Sequence, residues 1–143
     1  MKNKQDSIII VGCGNFGKHL ALSLSNQGFS VIVIDKNKNA TIDLTQDFSG
    51  FWVIGDATDT EILKTAGIKS ASTIVCASDN DSVNYTVATL ASNIFKTKNI
   101  YLRLANPSSK KLVEGTNIKV ICPTELCLQE FERLSQVKLE EEQ

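Results

Sequence analysis

Residues 7–17 read SIIIVGCGNFG, and this stretch decides how the chain folds. The run Ile8–Val11 is β-branched throughout, without polar alternation, which predicts a central parallel strand covered on both faces. The glycines that follow have the G-x-G-x-x-G spacing of a loop that joins such a strand to a helix and cradles phosphates. Backbone N–H groups at the helix start then face the phosphates. The candidate phosphate-binding residues are therefore Gly12, Cys13, Gly14, Asn15, Phe16 and Gly17.

Each glycine of this loop has a separate expected role. Gly12 permits the tight turn, Gly14 lets the backbone approach a pyrophosphate, and Gly17 lets the helix pack closely on the sheet. The helix is expected to end at Gly28. Its apolar face carries Phe16, Leu20 and Leu24.

A second buried run, Val31–Ile34, completes a β-α-β unit of about thirty residues. Asp35 closes this second strand 18 positions after Gly17. A carboxylate at that place can accept the ribose hydroxyls of an adenosine, and the neighbouring Lys36 belongs to the same candidate site. The alternative is an ordinary strand-end aspartate beside a glycine turn that binds nothing.

Length and composition limit the class of protein. The chain has 143 residues, which fits one domain with a real core and leaves no room for a separate substrate domain. Its net charge is -1 and its 15 Lys+Arg residues are scattered, so no nucleic-acid surface is expected. No apolar run exceeds strand length and no signal peptide is apparent at the start, which predicts a cytoplasmic protein. The four cysteines lack C-x-x-C spacing and are expected to be reduced thiols.

The end of the third strand supplies further candidate residues. A short helix with Ile42 and Leu44 is expected before that strand, which is predicted over Phe51–Ile54. The next residues, Gly55-Asp56-Ala57-Thr58, reach the same edge of the sheet as the glycine loop. There Asp56, Ala57 and Thr58 could bond the adenine edge, or Asp56 could serve only loop and cap chemistry. Thr58 and Glu61 have the spacing of a capping box, which predicts a helix over 59–66 that ends at Gly67.

The fourth predicted strand, over 73–77, ends beside the glycine loop at the point where the strand order reverses. The loop after it contributes Ala77, Ser78 and Asn80 as candidate contacts to the part of the ligand beyond the first phosphate. Its carboxylates Asp79 and Asp81 disfavour a bare triphosphate, and favour fewer phosphates, a neutral nicotinamide half or a bridging metal. Asp81 is alternatively the N-cap of the following helix.

The last part of the chain raises two questions. Arg103 is the charged residue of an otherwise apolar fifth strand, and either a phosphate, a partner subunit or an internal ion pair could satisfy it. A sixth strand over 119–122 precedes a helix from Thr124, whose apolar stripe could finish the core or lie against a neighbouring subunit. That stripe carries Cys127, Leu128, Phe131 and Leu134.

These elements predict an α/β fold: a Rossmann-type, doubly wound parallel sheet of order 3-2-1-4-5-6 in three α/β/α layers. We divide the chain into a disordered arm (1–6), a nucleotide-binding domain (7–137) that includes the last helix, and an acidic tail (138–143).

The chain resembles the nucleotide-binding KTN domain, also called the RCK N-terminal or TrkA-N domain, of Trk/Ktr potassium-transport regulators. The resemblance rests on Gly12–Gly17, Asp35, Gly55–Thr58 with the helix after it, and Arg103–Pro107, and it covers nearly the whole chain. The Gly-Asp-Ala-Thr element is its specific part, because ordinary dehydrogenases do not share it.

The resemblance implies a cytosolic regulatory subunit that binds NAD(H) or AMP, ADP or ATP and gates a membrane potassium or other cation transporter. It also implies that Asp35 and Asp56-Ala57 hold the adenosine and that the final helix crosses to a twofold-related partner. Homodimers or larger rings, which a longer companion subunit could complete, would then dock on the transporter. Members that respond to ATP often have arginine at the position of Asn15, so sensing of a γ-phosphate is not implied here.

Two other functions remain open at this point. A small NAD-dependent oxidoreductase is disfavoured, because His19 lies on the first predicted helix and neither Tyr85 nor Tyr101 precedes a lysine by four residues. An architectural Rossmann domain with an inactive pocket would have the same fold without a ligand. For a nucleotide site, the carboxylate of Asp35 predicts a preference for NAD over NADP, softened by Lys36.

Overall fold

Six parallel strands form one sheet in the computed structural model, which describes residues 6–40 and 48–140 of the chain. The strands are β1 (Ser7–Val11), β2 (Ser30–Asp35), β3 (Phe51–Ile54), β4 (Thr73–Cys76), β5 (Asn99–Arg103) and β6 (Ile118–Ile121). Their order is β3-β2-β1-β4-β5-β6, so the predicted doubly wound topology is confirmed. The order reverses between β1 and β4, which lie side by side.

Helices alternate with the strands and lie on both faces of the sheet. They are α1 (Asn15–Asn26), α2 (Thr60–Thr65), α3 (Asp81–Asn93) and α4 (Pro123–Ser135), with a 3-10 helix over Pro107–Val113. The predicted short helix with Ile42 and Leu44 lies outside the described residues, as do most of the arm 1–6 and the end of the tail 138–143. None of the helices in the described ranges is both long and apolar enough to cross a membrane.

The core has two apolar layers because alternate residues of each strand face opposite sides. Ile9 of β1 and Ile74 of β4 pack with α2 and α3 on one side. Ile10 and Val33 pack with α1 on the other side. All four side chains are fully buried, which explains why β1 lacks the polar alternation of a strand with one wet face.

The apolar stripe predicted for α1 is not the face that packs most deeply. The buried residues of α1 are Gly17, Ala21 and Ser25. Leu20 and Leu24 are only partly buried, and together with Phe16 they border an open groove of about 930 Å³. The groove continues over β4 and β5, where it is lined by the buried residues Thr73 and Val75 and by the partly buried Tyr101.

The capping box predicted at the start of α2 is wrong. The N-cap is Asp59, whose Oδ1 accepts the backbone N–H of Glu61 at 2.9 Å. The Thr58 hydroxyl instead donates to Asp56 Oδ1 at 2.6 Å. The Thr58 hydroxyl is therefore engaged by Asp56 and does not cap α2.

The predicted N-cap role of Asp81 is also wrong. Asn80 caps α3, because its Oδ1 accepts the backbone N–H of Val83 at 3.0 Å. The carboxylate of Asp81 accepts the N–H of Ala105 at 2.9 Å and that of Asn106 at 3.2 Å. Asp81 thus ties the first turn of α3 to the residues that follow β5.

The last helix contributes nothing to the core of its own chain. No residue of α4 is buried, and Phe131 keeps about half of its surface exposed, at 52%. The stripe predicted for this helix is therefore a surface of the chain, and the core alternative is wrong. We call this surface, formed by Leu128, Phe131 and Leu134, the α4 stripe.

Candidate functional site

A cavity of about 480 Å³ lies at the carboxyl ends of β1 to β4, across the reversal of strand order. Ligands of open α/β sheets bind in this crevice. Gly12, Cys13 and Gly14 of the glycine loop line it. Three further pairs of predicted site residues line it as well: Asp35 with Lys36, Asp56 with Ala57, and Ser78 with Asn80.

Gly12 is required by both the turn and its neighbour. Its φ is +99°, a left-handed conformation that residues with a Cβ rarely adopt. A Cβ at this position would also lie 2.6 Å from Ser78 Cα. The N–H of Gly12 donates to the Ile34 carbonyl at 2.8 Å, which fixes the loop against the end of β2.

Gly17 and Gly14 differ in what surrounds them. A Cβ at Gly17 would overlap the Gly12 carbonyl oxygen, and the sheet side chain of Ile10 would be farther away, at 3.5 Å. Gly17 therefore seats the first turn of α1 on the glycine loop rather than mainly on the sheet as predicted. A Cβ at Gly14 would meet nothing within 4 Å, because this residue faces open space beside the cavity.

Asp35 is held in the cavity wall by two backbone amides. Its Oδ2 accepts the N–H of Cys13 at 2.7 Å, and its Oδ1 accepts the N–H of Asn37 at 2.8 Å. Each carboxylate oxygen has capacity for a further hydrogen bond. The carboxylate is thus oriented by the glycine loop and by its own strand end, and it can accept two hydroxyl groups without losing these bonds.

Asp56 faces Asp35 from the end of the neighbouring strand β3. Its Oδ1 accepts both the hydroxyl and the N–H of Thr58, and its Oδ2 lies 3.5 Å from Lys36 Nζ. The hydrogen bonds from Thr58 and the positive charge of Lys36 hold the pKa of the Asp56 carboxyl below its ordinary value. Asp56 is therefore a fixed anion, and Lys36 is partly neutralised by it.

The loop after β4 is held from behind by Asn84, a residue that the sequence analysis missed. Its side chain is fully buried on α3 and bonds both to Ser78 and to the carbonyl of Arg103. The available signal was its position: Asn84 occupies the same helical face as Val87 and Ala91, where a polar residue is out of pattern. Buried polar side chains of this kind must be satisfied by specific partners.

Arg103 donates from its Nη1 to the carbonyl of Ser78 at 2.9 Å. Within the described ranges no carboxylate pairs with it, so the internal ion pair is not found there. Arg103 does not line the cavity but lies behind the loop that does. A contact to phosphate or to a partner subunit remains a prediction.

The other predicted site residues surround the cavity without lining it. Asn15 is exposed at the start of α1, Phe16 borders the groove, and Gly17 is buried under the glycine loop. Thr58 bonds Asp56, while the N–H of Ala77 donates to the Val11 carbonyl at 2.8 Å.

Cavity-lining residues outside the predicted set are mostly close to predicted ones in sequence. Asn37 and Ala40 follow Lys36, and Asp79 and Val83 flank Asn80. These residues could have been included in the predicted site because each lies only a few positions after the end of a strand. Gly55 also lines the cavity, and a Cβ there would lie 2.6 Å from Ile62 Cδ1, the end of a flexible side chain on α2.

The side chains considered for catalysis lie away from the cavity. His19 is exposed on α1 and Tyr101 borders the groove, so neither reaches the cavity. Among residues 6–40 and 48–140 no group of three or more His, Cys, Asp or Glu side chains is placed to hold a metal ion. All four cysteines lie within the described residues and none forms a disulfide, and burial raises the pKa of the Cys76 thiol.

Comparison with protein families and curated sequences gives consistent matches. The profile described as the TrkA-N domain matches residues 8–123. The Trk system potassium uptake protein TrkA of Streptomyces coelicolor is 32% identical over 114 residues, covering 80% of this chain and 51% of that protein. A TrkA homolog of Pyrococcus horikoshii is 31% identical over 107 residues, covering 75% of this chain and 47% of its own length.

Solved structures share the fold at lower identity. The TrkA-N domain of the Escherichia coli inner membrane protein ybaL has a TM-score of 0.79 at 18% identity, covering 91% of this chain and 96% of that one. The Kef CTD of Shewanella denitrificans in its AMP-bound form has a TM-score of 0.73 at 24% identity, covering 94% of this chain and 84% of that one. The GsuK channel bound to NAD has a TM-score of 0.73 at 20% identity, covering 92% of this chain and 24% of the channel chain.

Proposed function

This chain belongs to the TrkA-N domain family, and from that premise we propose that it is a nucleotide-sensing regulatory domain of a potassium-transport system. The family resemblance predicted from the sequence is confirmed by the match over residues 8–123. The chain spans about half the length of the curated relatives it matches. Their role in potassium uptake is therefore carried over to this chain as a proposal, with a place on the cytoplasmic side of a membrane transporter.

The observation that supports a nucleotide ligand is the pairing of the glycine loop with the oriented carboxylate of Asp35. The N–H of Cys13 links the two directly, at 2.7 Å from Asp35 Oδ2. A volume of about 480 Å³ lies in the range of small-molecule pockets. Two structures with this fold were solved with AMP and with NAD, which supports an adenine nucleotide as the ligand class.

We assign roles to the predicted site residues from their placement. Backbone N–H groups of residues 14–17 hold phosphate at the start of α1, since an anion is favoured at a helix N-terminus. The N–H groups of Gly12 and Cys13 are already donated to the Ile34 carbonyl and to Asp35, and these two residues shape the loop. Asp35 accepts the ribose hydroxyls, with Lys36 beside it. Asp56 and Ala57, supported by Thr58, take the adenine side. Ala77, Ser78 and Asn80 border what extends beyond the first phosphate, with Arg103 behind them.

Homodimer formation is supported by two uncovered apolar surfaces on one chain. The α4 stripe is exposed, and the groove beside α1 lies open over β4 and β5. A twofold axis that brings the helix α4 of a second copy onto this chain would bury both kinds of surface. A larger ring, with or without a longer companion subunit, can be built from such dimers.

Regulation in this proposal is a shift of populations and involves no covalent chemistry. A nucleotide that orders the loops at Asn15, Asp56 and Asn80 changes the relative stability of two arrangements of paired subunits. It does so only to the extent that its affinity differs between the two arrangements. Measurements of ligand preference therefore carry the functional information.

Thermal unfolding with AMP, ADP, ATP, NAD and NADH tests the proposal. A ligand at about 100 times its Kd should add about 2.7 kcal/mol to the free energy of unfolding. Unchanged curves with all five ligands would favour an architectural domain with an inactive pocket.

Steady-state assays with NADH and a panel of carbonyl compounds test the oxidoreductase alternative. Turnover that is lost on substitution of His19 would overturn the regulatory proposal.

A further inference from the structure

Asn84 has every hydrogen-bonding position of its side chain filled. Its Oδ1 accepts the N–H of Ser78 at 3.0 Å and the Ser78 hydroxyl at 2.7 Å. Its Nδ2 donates to the carbonyls of Ser78 and Arg103, both at 2.9 Å. A carboxamide has two acceptor and two donor positions of this kind, so no other side chain of its size fits the same partners. Asn84 is fully buried, which makes each of these bonds costly to lose.

These bonds fix one wall of the nucleotide cavity. The Ser78 carbonyl also accepts a hydrogen bond from Arg103 at 2.9 Å, so Asn84 and Arg103 together hold this one residue. On its other side Ser78 lies against Gly12, where there is no room for a Cβ. Ser78, Asp79 and Asn80 line the cavity from the end of β4.

The sheet order determines which ligands reach that wall. Asp35 ends β2, the glycine loop follows β1, and Ser78 follows β4, with β1 between the other two strands. Neighbouring strands are about 4.8 Å apart, so the wall lies about 10 Å across the sheet from the ribose-binding carboxylate. AMP with its ribose at Asp35 ends at the glycine loop. Only a ligand that continues past its first phosphates spans the distance to Ser78.

We propose that Asn84 is a positioning residue that holds residues 78–80 as the surface for the second half of a dinucleotide. The inference rests on the proposed function and adds the ligand class. The exposed carboxylate of Asp79 in this wall repels a further phosphate and accepts a nucleoside half that is neutral or cationic. Asn84 therefore determines how strongly the site distinguishes a dinucleotide from a mononucleotide.

The experiment measures the affinities for NAD and for AMP by calorimetric titration of the wild-type chain, Asn84→Ala and Asn84→Asp. Both substitutions remove the two donors to Ser78 and Arg103. NAD affinity should fall about tenfold or more relative to AMP affinity, because the wall loses its fixed position. Val87→Ala is the matched control, since Val87 is equally buried on α3 but packs in the apolar core. It should destabilise the chain and leave the ratio of the two affinities unchanged.

The outcomes separate this inference from the proposal beneath it. A wild-type chain that binds neither ligand contradicts the nucleotide proposal itself and removes the inference with it. A wild-type chain that binds AMP but not NAD overturns the inference alone, as does an unchanged affinity ratio in both Asn84 variants. A ratio that shifts equally in Val87→Ala also overturns it.

A measurement on the unaltered chain covers the case in which the variants do not fold. Amide hydrogen exchange at residues 78–80 reports local opening of the wall. NAD should slow this exchange more than AMP does when both ligands saturate the site. Equal protection by the two ligands would overturn the inference.

Discussion

Replacing Asp35 with alanine tests the ribose contact most directly. In the free chain the carboxylate accepts the N–H groups of Cys13 and Asn37, at 2.7 and 2.8 Å, and keeps capacity for two hydroxyl donors. A hydrogen bond to a charged group contributes about 1.5–3 kcal/mol. Losing two of them should cost about 3 kcal/mol of binding energy, which raises Kd about 100-fold or more.

Calorimetric titration with AMP and with NAD measures this loss, and both ligands should be affected equally because both carry the adenosine ribose. Asp35→Asn should be intermediate, since it keeps one acceptor oxygen while its NH2 group faces one of the two amide donors. Asp59→Ala is the control: Asp59 also accepts a backbone N–H, but it caps α2 and does not line the cavity. An Asp35→Ala chain that binds AMP within twofold of the wild type would refute the assignment.

The same carboxylate predicts weaker binding of NADP than of NAD. A 2′-phosphate would lie against the Asp35 anion, and Lys36 compensates little because Asp56 shares its charge at 3.5 Å. Competition between the two dinucleotides on the wild-type chain gives the ratio of their affinities. Tighter binding of NADP would contradict the placement of the ribose.

Three further predictions concern stability and assembly. Gly17→Ala should lower the free energy of unfolding in urea by about 1–3 kcal/mol, because its Cβ overlaps the Gly12 carbonyl; unchanged stability would contradict this packing. Phe131→Asp should turn dimers into monomers in light scattering without loss of helical signal. The lowered pKa of Asp56 stabilises the fold above about pH 4, and this contribution disappears as pH falls through the folded pKa. Thr58→Ala should therefore reduce the loss of stability between pH 6 and 3.

The topology could be predicted because its signals are local and agree with one another. Ile8–Val11 is apolar on both faces and β-branched throughout, and that pattern is typical of a strand with a layer on each side. Gly12 needs a positive φ, which only glycine adopts without strain, and its position fixes where β1 ends. A right-handed crossover then leaves few ways to order the strands.

The caps could not be predicted, because each contains two suitable residues side by side. Asp59 follows Thr58, and Asp81 follows Asn80, and all four side chains are good N-caps. The choice between them depends on partners that local pattern does not contain. Asp81 is drawn to the N–H of Ala105, 24 residues away, so Asn80 is left to cap α3. The same distance in sequence hid Asn84, whose partner carbonyl at Arg103 is 19 residues away.

The open groove beside α1 and the exposed α4 stripe, which the sequence left undecided, have one physical explanation. A doubly wound sheet needs a layer on both faces, yet within the described residues the α1 side of β4 and β5 borders an open groove. The α4 stripe has the opposite property, because it belongs to an amphipathic helix that has no buried residue in its own chain. Helical periodicity predicts that the apolar face of a helix will be covered, but it does not predict whether the same chain or a second chain covers it. The open groove and the unburied helix α4 occur in the same chain, so a second copy can cover both. Phe131→Asp is therefore expected to prevent dimer formation while the six-stranded core remains folded.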